Sequence, residues 1–210
     1  GVWKIKPGAQ GWNAQSIAAA AGHPIGAGDA RYRYSNTPGE VDTVPFGAYH
    51  RSVFERVGLY DESLRVNEDY ELNTRIRKNG GKIYFDPAIK VDYFARPRLT
   101  DLARQYFRYG YWKWRMLKRY PDTLRWRQAL PPVLVLGTIV LLVLSIWFSA
   151  AAWLLAAGMV FYWMILVCAA ISPARRYNTL PILLGFPLAI ATMHYSWGTG
   201  FLVSIFNGRK

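Results

Sequence analysis

The feature that most constrains this chain is a long uncharged run, from Val133 to Ile171. As one helix the run would extend about 58 Å, at a rise of about 1.5 Å per residue. The hydrocarbon core of a bilayer is only about 30 Å thick. We therefore expect two membrane spans, over about 132–150 and 152–171, joined by a tight turn near 149–152.

The ends of these spans have their own signals. Pro131 and Pro132 suit the start of the first helix, because proline is tolerated in a first helical turn. After the second span we expect a loop over 172–176, whose two arginines favour the cytoplasmic side. The sequence thus predicts a multi-pass protein in which the segments before the first span and after the second both face the cytoplasm.

A further apolar segment, 180–206, contains Pro187 and Gly198, which we expect to interrupt it. It either crosses the membrane, re-enters it or lies along the interface. The closing Arg209 and Lys210 favour a cytoplasmic end, which argues against a third full crossing.

The formal net charge is +13, and its placement indicates a membrane surface rather than nucleic acid. Basic residues crowd into 96–127, immediately before the apolar run, where they favour anionic headgroups. The same region mixes Tyr, Phe and Trp with Arg and Lys. We expect an amphipathic interfacial helix within 99–128, starting at Thr100 as its N-cap and ending at Pro121.

The first part of the chain alternates helix and strand signals, which predicts an α/β domain over 1–98. The expected elements are an amino-terminal strand, a helix over 16–21, extended segments over 29–34 and 40–46, a helix opened by a capping box of Ser52 and Glu55 and closed by Gly58, a helix from Asn67 to Gly80, and a strand over 82–85. The rest, 129–210, forms the membrane region.

Carboxylate chemistry must lie between Asp29 and Asp122, because no Asp or Glu follows. Glu68 and Asp69 fall in the first turn of a predicted helix, where the macrodipole favours an anion. An ionised carboxylate there can accept a proton from an attacking hydroxyl. Acidic residues are also common in first turns without any catalytic role, so spacing alone leaves both interpretations open.

A second constellation lies on the interfacial helix. Gln105, Arg108 and Tyr109 share one helical face, which Trp112 continues. Arg108 can hold phosphate oxygens through two parallel hydrogen bonds, and an aromatic ring can stack on a sugar or a base. The alternative is an interfacial helix in which arginine meets lipid phosphate.

The remaining reactive residues have simpler interpretations. We expect His194 to make a hydrogen bond between packed helices. His23 and His50 have no partners at metal-ligand spacing, and the single Cys168 permits neither an internal disulfide nor a cysteine-based metal site.

Taken in order, these motifs resemble family 2 glycosyltransferases with a GT-A fold. The segment Glu68-Asp69-x-x-Leu72-x-x-Arg75 followed by Gly80 resembles the acidic "ED" segment of that family. Gln105-x-x-Arg108-Tyr109 resembles its Q-x-x-R-W motif, with Tyr in place of Trp. The stretch 46–62 resembles the segment before "ED", and 194–201 is similar to membrane-bound exopolysaccharide enzymes of the succinoglycan-type glucosyltransferase group.

The resemblance implies a role for each matching residue. Asp69 would be the general base that deprotonates the acceptor hydroxyl, with inversion at the anomeric carbon, and Glu68 would shape the site beside it. Gln105, Arg108 and Tyr109 would hold the acceptor and the donor diphosphate. Gly47 and Ala48 would let the substrate approach the backbone closely.

The fold class expected from this resemblance is α/β, a partial GT-A domain followed by α-helical transmembrane segments. The implied activity is transfer of a hexose from a nucleotide sugar to a polyprenyl-linked or polysaccharide acceptor, at the bacterial plasma membrane. The resemblance also implies a divalent cation, Mg²⁺ or Mn²⁺, held by a D-x-D motif. No Asp-x-Asp occurs in this sequence. We therefore expect the donor half to precede Gly1 in a longer protein, and the 210 residues alone to be inactive.

Two other functions remain open at this stage. The basic region 96–127 could serve a non-catalytic module that binds lipid or a partner at the membrane surface. Alternatively, the apolar hairpin could be the working part of a polysaccharide-export complex.

Overall fold

The computed structural model describes residues 1–28 and 30–207, so Asp29 and 208–210, including the predicted basic end Arg209 and Lys210, lie outside the described residues. The strands are β1 (Val2–Lys6), β2 (Gly39–Glu40), β3 (Tyr84–Phe85) and β4 (Lys90–Phe94). The helices are α1 (Trp12–Gly22), α2 (Pro24–Ala27), α3 (Arg51–Val57), α4 (Glu68–Lys78), α5 (Leu99–Leu117), α6 (Trp126–Leu144), α7 (Ser149–Tyr177) and α8 (Ile182–Asn207). Short 3₁₀ turns occur at Arg31–Arg33 and Pro121–Thr123.

The amino-terminal part is mixed α/β, as predicted. β1 pairs in parallel with β4, from Val2 opposite Lys90 to Lys6 opposite Phe94. β2 pairs antiparallel with β3. Strand structure is more limited than expected: 31–33 form a 3₁₀ turn, and of the segments 40–46 and 82–85 only the residues in β2 and β3 are paired.

α4 ends where the sequence indicates. Leu72 and Ile76 are buried on one face of the helix and pack with Phe85 in a small core of the α/β part. Gly80 follows the helix with φ of +75°, a conformation that glycine adopts without steric cost.

α3 begins differently from the prediction. His50 occupies the N-cap position, and its side chain accepts a hydrogen bond from the backbone N–H of Ser52. The predicted capping box of Ser52 and Glu55 is therefore wrong, because the imidazole takes the capping role and starts the helix earlier. Glu55 instead pairs with Arg51, 3.4 Å away. Gly58 closes the helix with φ of +84°, as expected.

α5 and α8 approach each other backbone to backbone. A Cβ placed on Gly110 of α5 would lie 2.0 Å from the carbonyl oxygen of Trp197, and one on Gly200 of α8 would lie 2.1 Å from that of Phe107. Glycine is thus needed at both positions. α5 begins at Leu99 with Arg98 as N-cap, two residues before the predicted N-cap Thr100, and it ends at Leu117, before the predicted Pro121.

α6 and α7 form the predicted apolar hairpin with shifted boundaries. The turn lies at 145–148 rather than 149–152, and Pro131 and Pro132 lie inside α6 rather than at its start. The predicted loop 172–176 is wrong, because α7 stays helical to Tyr177 with Pro173 within it. Helix-breaking residues are tolerated where neighbouring helices and local adjustment satisfy the freed backbone groups.

Among the described helices, α6 and α7 are long and apolar enough to cross a membrane. Large apolar side chains on both, such as Leu136, Trp153 and Phe161, are more than half exposed. Such exposed apolar faces suit contact with lipid. The cytoplasmic orientation of the loops stays a prediction.

α8 is a continuous helix, so the predicted interruptions at Pro187 and Gly198 are wrong. A Cβ on Gly198 would lie 2.4 Å from the carbonyl oxygen of Pro131, which shows that this glycine permits close contact with α6. Ile182, Phe186 and other large side chains of α8 are fully buried. The helix contacts α1, α5, α6 and α7, and so connects the α/β part to the hairpin.

Candidate functional site

The acidic segment lies at the start of α4. The Oδ1 atom of Asp69 accepts a hydrogen bond from the backbone N–H of Tyr70 at 2.7 Å. Burial raises the pKa of the Asp69 carboxyl, and the neighbouring charge of Glu68 adds to the shift. Glu68 itself is exposed. The pair therefore consists of a partly buried carboxylate of enhanced basicity beside a solvated one.

Asn67 precedes α4 as predicted, but its side chain does not cap the helix. It adopts a left-handed conformation with φ of 68°, and it makes no capping hydrogen bond. Its Nδ2 atom is buried without a hydrogen-bond partner. The left-handed turn directs the chain into the helix instead, a role that Asn fills more readily than most residues.

Glu68 and Asp69 open onto a cavity of about 1500 Å³. The polar part of its lining includes Gln105, Tyr106 and Tyr109 of α5. The apolar part comes from the carboxyl-terminal helices, with Leu130, Pro131, Val133 and Leu134 of α6 and Met193 and Trp197 of α8. One cavity thus extends from a carboxylate to the side chains of a candidate membrane span.

The predicted face of α5 is partly present in this cavity. Gln105 donates from Nε2 to the hydroxyls of Tyr93 at 3.1 Å and Tyr109 at 2.7 Å. Its Oε1 accepts from Nε of Arg96 at 3.2 Å. Burial raises the pKa of Tyr109 to about 12, so this phenol stays protonated. Gln105 and Tyr109 are therefore hydrogen-bonded to each other and form a neutral, polar part of the cavity lining.

Arg108 does not line this cavity. It is exposed, and it lines a smaller cavity of about 460 Å³ whose lining also includes Gln105 and Tyr109. Gly47 and Ala48 are also outside the lining of the large cavity, although the preceding Pro45 and Phe46 belong to it. The large cavity thus brings Glu68, Asp69, Gln105 and Tyr109 together. Arg108 shares only the smaller cavity with Gln105 and Tyr109, and Gly47 and Ala48 line neither. The chemical role of each stays a prediction.

The rest of the acidic segment has a structural function. Glu71 is 2% exposed and accepts from Nε of Arg75 at 2.7 Å and from the hydroxyl of Tyr120 at 2.9 Å. Asn73 accepts from the hydroxyl of Tyr49 at 2.7 Å and donates to Oγ1 of Thr43 at 2.7 Å. These buried polar groups have their partners within the protein, so they fix α4 in place.

An aromatic cluster around Arg33 was not anticipated from the sequence. Trp3 stacks on Tyr93 with ring centroids 4.1 Å apart, and the guanidinium of Arg33 lies 5.2 Å from the Trp3 ring. Nη1 of Arg33 donates to the hydroxyl of Tyr106 at 3.0 Å. All of these residues line the large cavity. In the sequence, the alternating run Arg31-Tyr32-Arg33-Tyr34 could have indicated this cluster.

The described residues do not fit a divalent cation. Within 1–28 and 30–207, no three or more His, Cys, Asp or Glu side chains are grouped closely enough to hold one. We therefore derive no step through a metal from this part of the chain. His194 makes the predicted packing hydrogen bond, with Nε2 3.0 Å from the carbonyl oxygen of Ile25 and Nδ1 3.0 Å from the hydroxyl of Tyr162.

No family model matches this sequence, and no solved structure matches it. Two curated proteins are similar. The "Succinoglycan biosynthesis protein ExoA" of Rhizobium meliloti (strain 1021) is 29% identical over 75% of this chain and 46% of its own length. The "Dolichyl N-acetyl-alpha-D-glucosaminyl phosphate 3-beta-D-2,3-diacetamido-2,3-dideoxy-beta-D-glucuronosyltransferase" of Methanococcus voltae is 26% identical over 47% of this chain and 31% of its own length.

These comparisons confirm the predicted resemblance to proteins of glycosyl transfer and exopolysaccharide synthesis. The chain spans less than half the length of each of these relatives. The mixed α/β architecture is observed, while the GT-A fold stays a prediction.

Proposed function

We propose that this chain is the acceptor-binding part of a membrane-bound, inverting glycosyltransferase. It would transfer a hexose from a nucleotide sugar to a polyprenyl-linked or polysaccharide acceptor in exopolysaccharide or cell-envelope synthesis. The observation that supports this best is the shared cavity, in which Asp69 and apolar side chains of α6 line one space. A lipid-linked sugar needs both surroundings at once.

In this proposal Asp69 is the general base. An acceptor hydroxyl gives its proton to the Asp69 carboxylate while its oxygen bonds to the anomeric carbon of the donor sugar. The bond from that carbon to the diphosphate oxygen breaks on the opposite face, so the configuration inverts and a nucleoside diphosphate leaves. Burial raises the pKa of Asp69, which strengthens the base as long as it is ionised.

The relatives support the acceptor class. The name of the Methanococcus protein specifies a dolichyl sugar phosphate, which is a polyprenyl-linked molecule. This chain spans less than half of each relative, and we propose that the donor pocket and its Mg²⁺ or Mn²⁺ belong to a longer protein, outside the residues described here. The two apolar helices would hold the site at the membrane, with the α/β part on the cytoplasmic side.

The test is Asp69→Asn in the longer protein. Losing the general base should lower the rate of sugar transfer to a polyprenyl-linked acceptor by about 10²–10⁴-fold. Membrane association should be unchanged. Asp122→Asn is the matched control, because this carboxylate is 61% exposed and pairs with Lys78 at the surface. Its transfer rate should equal that of the unmodified protein.

The contrary result is equally informative. If Asp69→Asn transfers sugar at the full rate, the general-base role is wrong. If instead the unmodified longer protein itself transfers no sugar from any nucleotide-sugar donor, the non-catalytic membrane-surface module becomes the better account of the chain.

A further inference from the structure

Arg33 is a partly buried arginine in the lining of the large cavity. Its Nη1 donates to the hydroxyl of Tyr106 at 3.0 Å and to the carbonyl oxygen of Ala21 at 3.4 Å. Its guanidinium lies over the rings of Trp3 and Tyr32, at 5.2 and 5.7 Å. Its Nε is buried without a hydrogen-bond partner. Among the described residues, all of its partners are neutral.

This arrangement is costly unless an anion completes it. Arginine keeps its charge at physiological pH, and desolvating a cation costs free energy that oxygen atoms and ring faces offset only in part. A guanidinium offers several donors in a planar fork that matches phosphate oxygens. Arg33 is thus prepared for a phosphate-type ligand.

The other arginines that line the cavity are exposed or make their contacts at exposed positions. Arg65, Arg96 and Arg127 are exposed. Arg125 forms an ion pair with Asp42, and Nε of Arg96 donates to Gln105. Arg31 donates to the carbonyl oxygen of Thr37 at an exposed position. Arg108, which the sequence suggested as the phosphate clamp, does not line the large cavity. The partly buried Arg33 is therefore the strongest candidate for a fixed anion contact.

We propose that Arg33 binds the phosphate of the polyprenyl phosphate or diphosphate that carries the acceptor sugar. This inference rests on the function proposed above. In such a molecule the phosphate lies between the sugar and the isoprenoid chain. The cavity lining contains a group for each part, with Asp69 for the sugar hydroxyl, Arg33 for the phosphate and apolar side chains of α6 and α8 for the isoprenoid chain.

The apolar lining favours the acceptor over the donor as the source of this phosphate. A nucleotide sugar carries a polar nucleoside beyond its diphosphate, and burying it against α6 would leave its hydrogen-bonding groups without partners. An isoprenoid chain gains free energy from the same surface. Binding of a nucleoside diphosphate at Arg33 is thus the competing outcome of the test.

The experiment measures binding to the longer protein in detergent, with farnesyl diphosphate, uridine diphosphate and inorganic pyrophosphate as probes and no sugar donor present. Farnesyl diphosphate should bind more tightly than pyrophosphate. Arg33→Gln should weaken farnesyl diphosphate binding at least about 10-fold, because a charge-assisted hydrogen-bond pair is lost. Arg33→Lys keeps the charge without the fork and should weaken it about 3-fold. Uridine diphosphate binding should be unaffected by both.

Arg51→Gln is the control, since this arginine is 92% exposed and remote from the cavity lining. Thermal unfolding of each variant identifies loss of the fold, and the Lys variant decides if the Gln variant does not fold. Equal farnesyl diphosphate affinity in all variants, weakened uridine diphosphate binding alone, or no binding of farnesyl diphosphate to the unmodified protein would overturn the inference.

The binding assay is scored without turnover, so it separates two failures. If Asp69→Asn abolishes sugar transfer while Arg33→Gln leaves farnesyl diphosphate binding intact, the proposed function stands and the role of Arg33 is wrong. If Asp69→Asn transfers sugar normally, the proposed function itself fails.

Discussion

Two carboxylates of α4, Glu71 and Asp69, differ in how many hydrogen bonds they accept from the rest of the protein. Toward the interior, Glu71 accepts hydrogen bonds from Arg75 and Tyr120, and Arg75 donates in turn to the carbonyl oxygens of Val57, Gly58 and Leu59. Toward the cavity, Asp69 accepts a hydrogen bond from the backbone N–H of Tyr70. The Glu71 carboxylate is thus bonded to other side chains of the protein, whereas the Asp69 carboxylate has acceptor sites available for a ligand.

The contrast between Glu71 and Asp69 distinguishes a structural carboxylate from a candidate catalytic one within a single motif. Glu68, Asp69, Glu71 and Arg75 all belong to the segment that resembles the family motif. A buried carboxylate that accepts three hydrogen bonds, as Glu71 does, resists proton transfer because exchange breaks several of them. A carboxylate with free acceptor sites beside a cavity can exchange protons with a substrate.

The largest expected effect is a loss of stability when the buried hydrogen bonds of Glu71 are removed. Glu71→Ala leaves Arg75 without its carboxylate partner in a largely buried position. Removing one member of a buried pair costs about 3–5 kcal/mol, because the remaining charge is uncompensated. Thermal and chemical unfolding should show this loss. Glu62→Ala, at an exposed position, should stay within about 0.5 kcal/mol of the unmodified chain, as surface substitutions usually do. A Glu71→Ala protein of full stability would contradict the structural role.

A smaller effect should follow from Asn73→Ala. This amide accepts from Tyr49 and donates to Thr43 and to the carbonyl oxygen of Val44. Burial raises the pKa of Tyr49 to about 12, so its hydroxyl remains a donor over the physiological range. Leaving buried groups unpaired costs about 1–3 kcal/mol each, and relaxation recovers part of it.

We would measure the free energy of unfolding of Asn73→Ala and of Tyr49→Phe and compare the two losses. Tyr49→Phe removes a single hydrogen bond of the same group and should cost less than Asn73→Ala. Equal losses in the two variants would mean that the bonds to Thr43 and Val44 contribute nothing.

Much of the fold was predictable because its signals are local. The uncharged run predicted an apolar hairpin, and Gly58 and Gly80 marked real helix ends. The errors arose where tertiary contacts override local signals. Gly198 was interpreted as a helix breaker, yet it permits close contact between α8 and α6. β4 was missed because its strand character depends on pairing with β1, far away in the sequence.

The candidate site was predictable in part for the same reason. Helical periodicity correctly placed Gln105 and Tyr109 on one face, and both line the cavity with Asp69. Periodicity could not show that Arg108 lines only the smaller cavity, since that depends on how α5 packs. Nor could it identify Arg33, whose partners Trp3 and Tyr106 come from distant parts of the chain.

The smallest effect, opposite in sign, is expected for the stability of Asp69→Asn. Burial raises the pKa of Asp69 in the folded chain, so the folded state holds the proton more tightly than the unfolded state. The stability that this group contributes is therefore present below its unfolded pKa of about 3.9 and is lost as the pH rises through its folded value. At pH 7 the ionised carboxylate lowers stability, and Asn removes that cost.

We therefore expect Asp69→Asn to unfold at a slightly higher temperature than the unmodified chain at pH 7, and the difference to shrink on acidification toward the ordinary carboxyl range. Sugar transfer by the longer protein should fall over the same acidic interval, because protonation removes the base. Thermal unfolding in detergent and initial rates across this pH range provide the two measurements. A destabilised Asp69→Asn protein would mean that Asp69, like Glu71, is held for structure, and the distinction between the two faces of α4 would be lost.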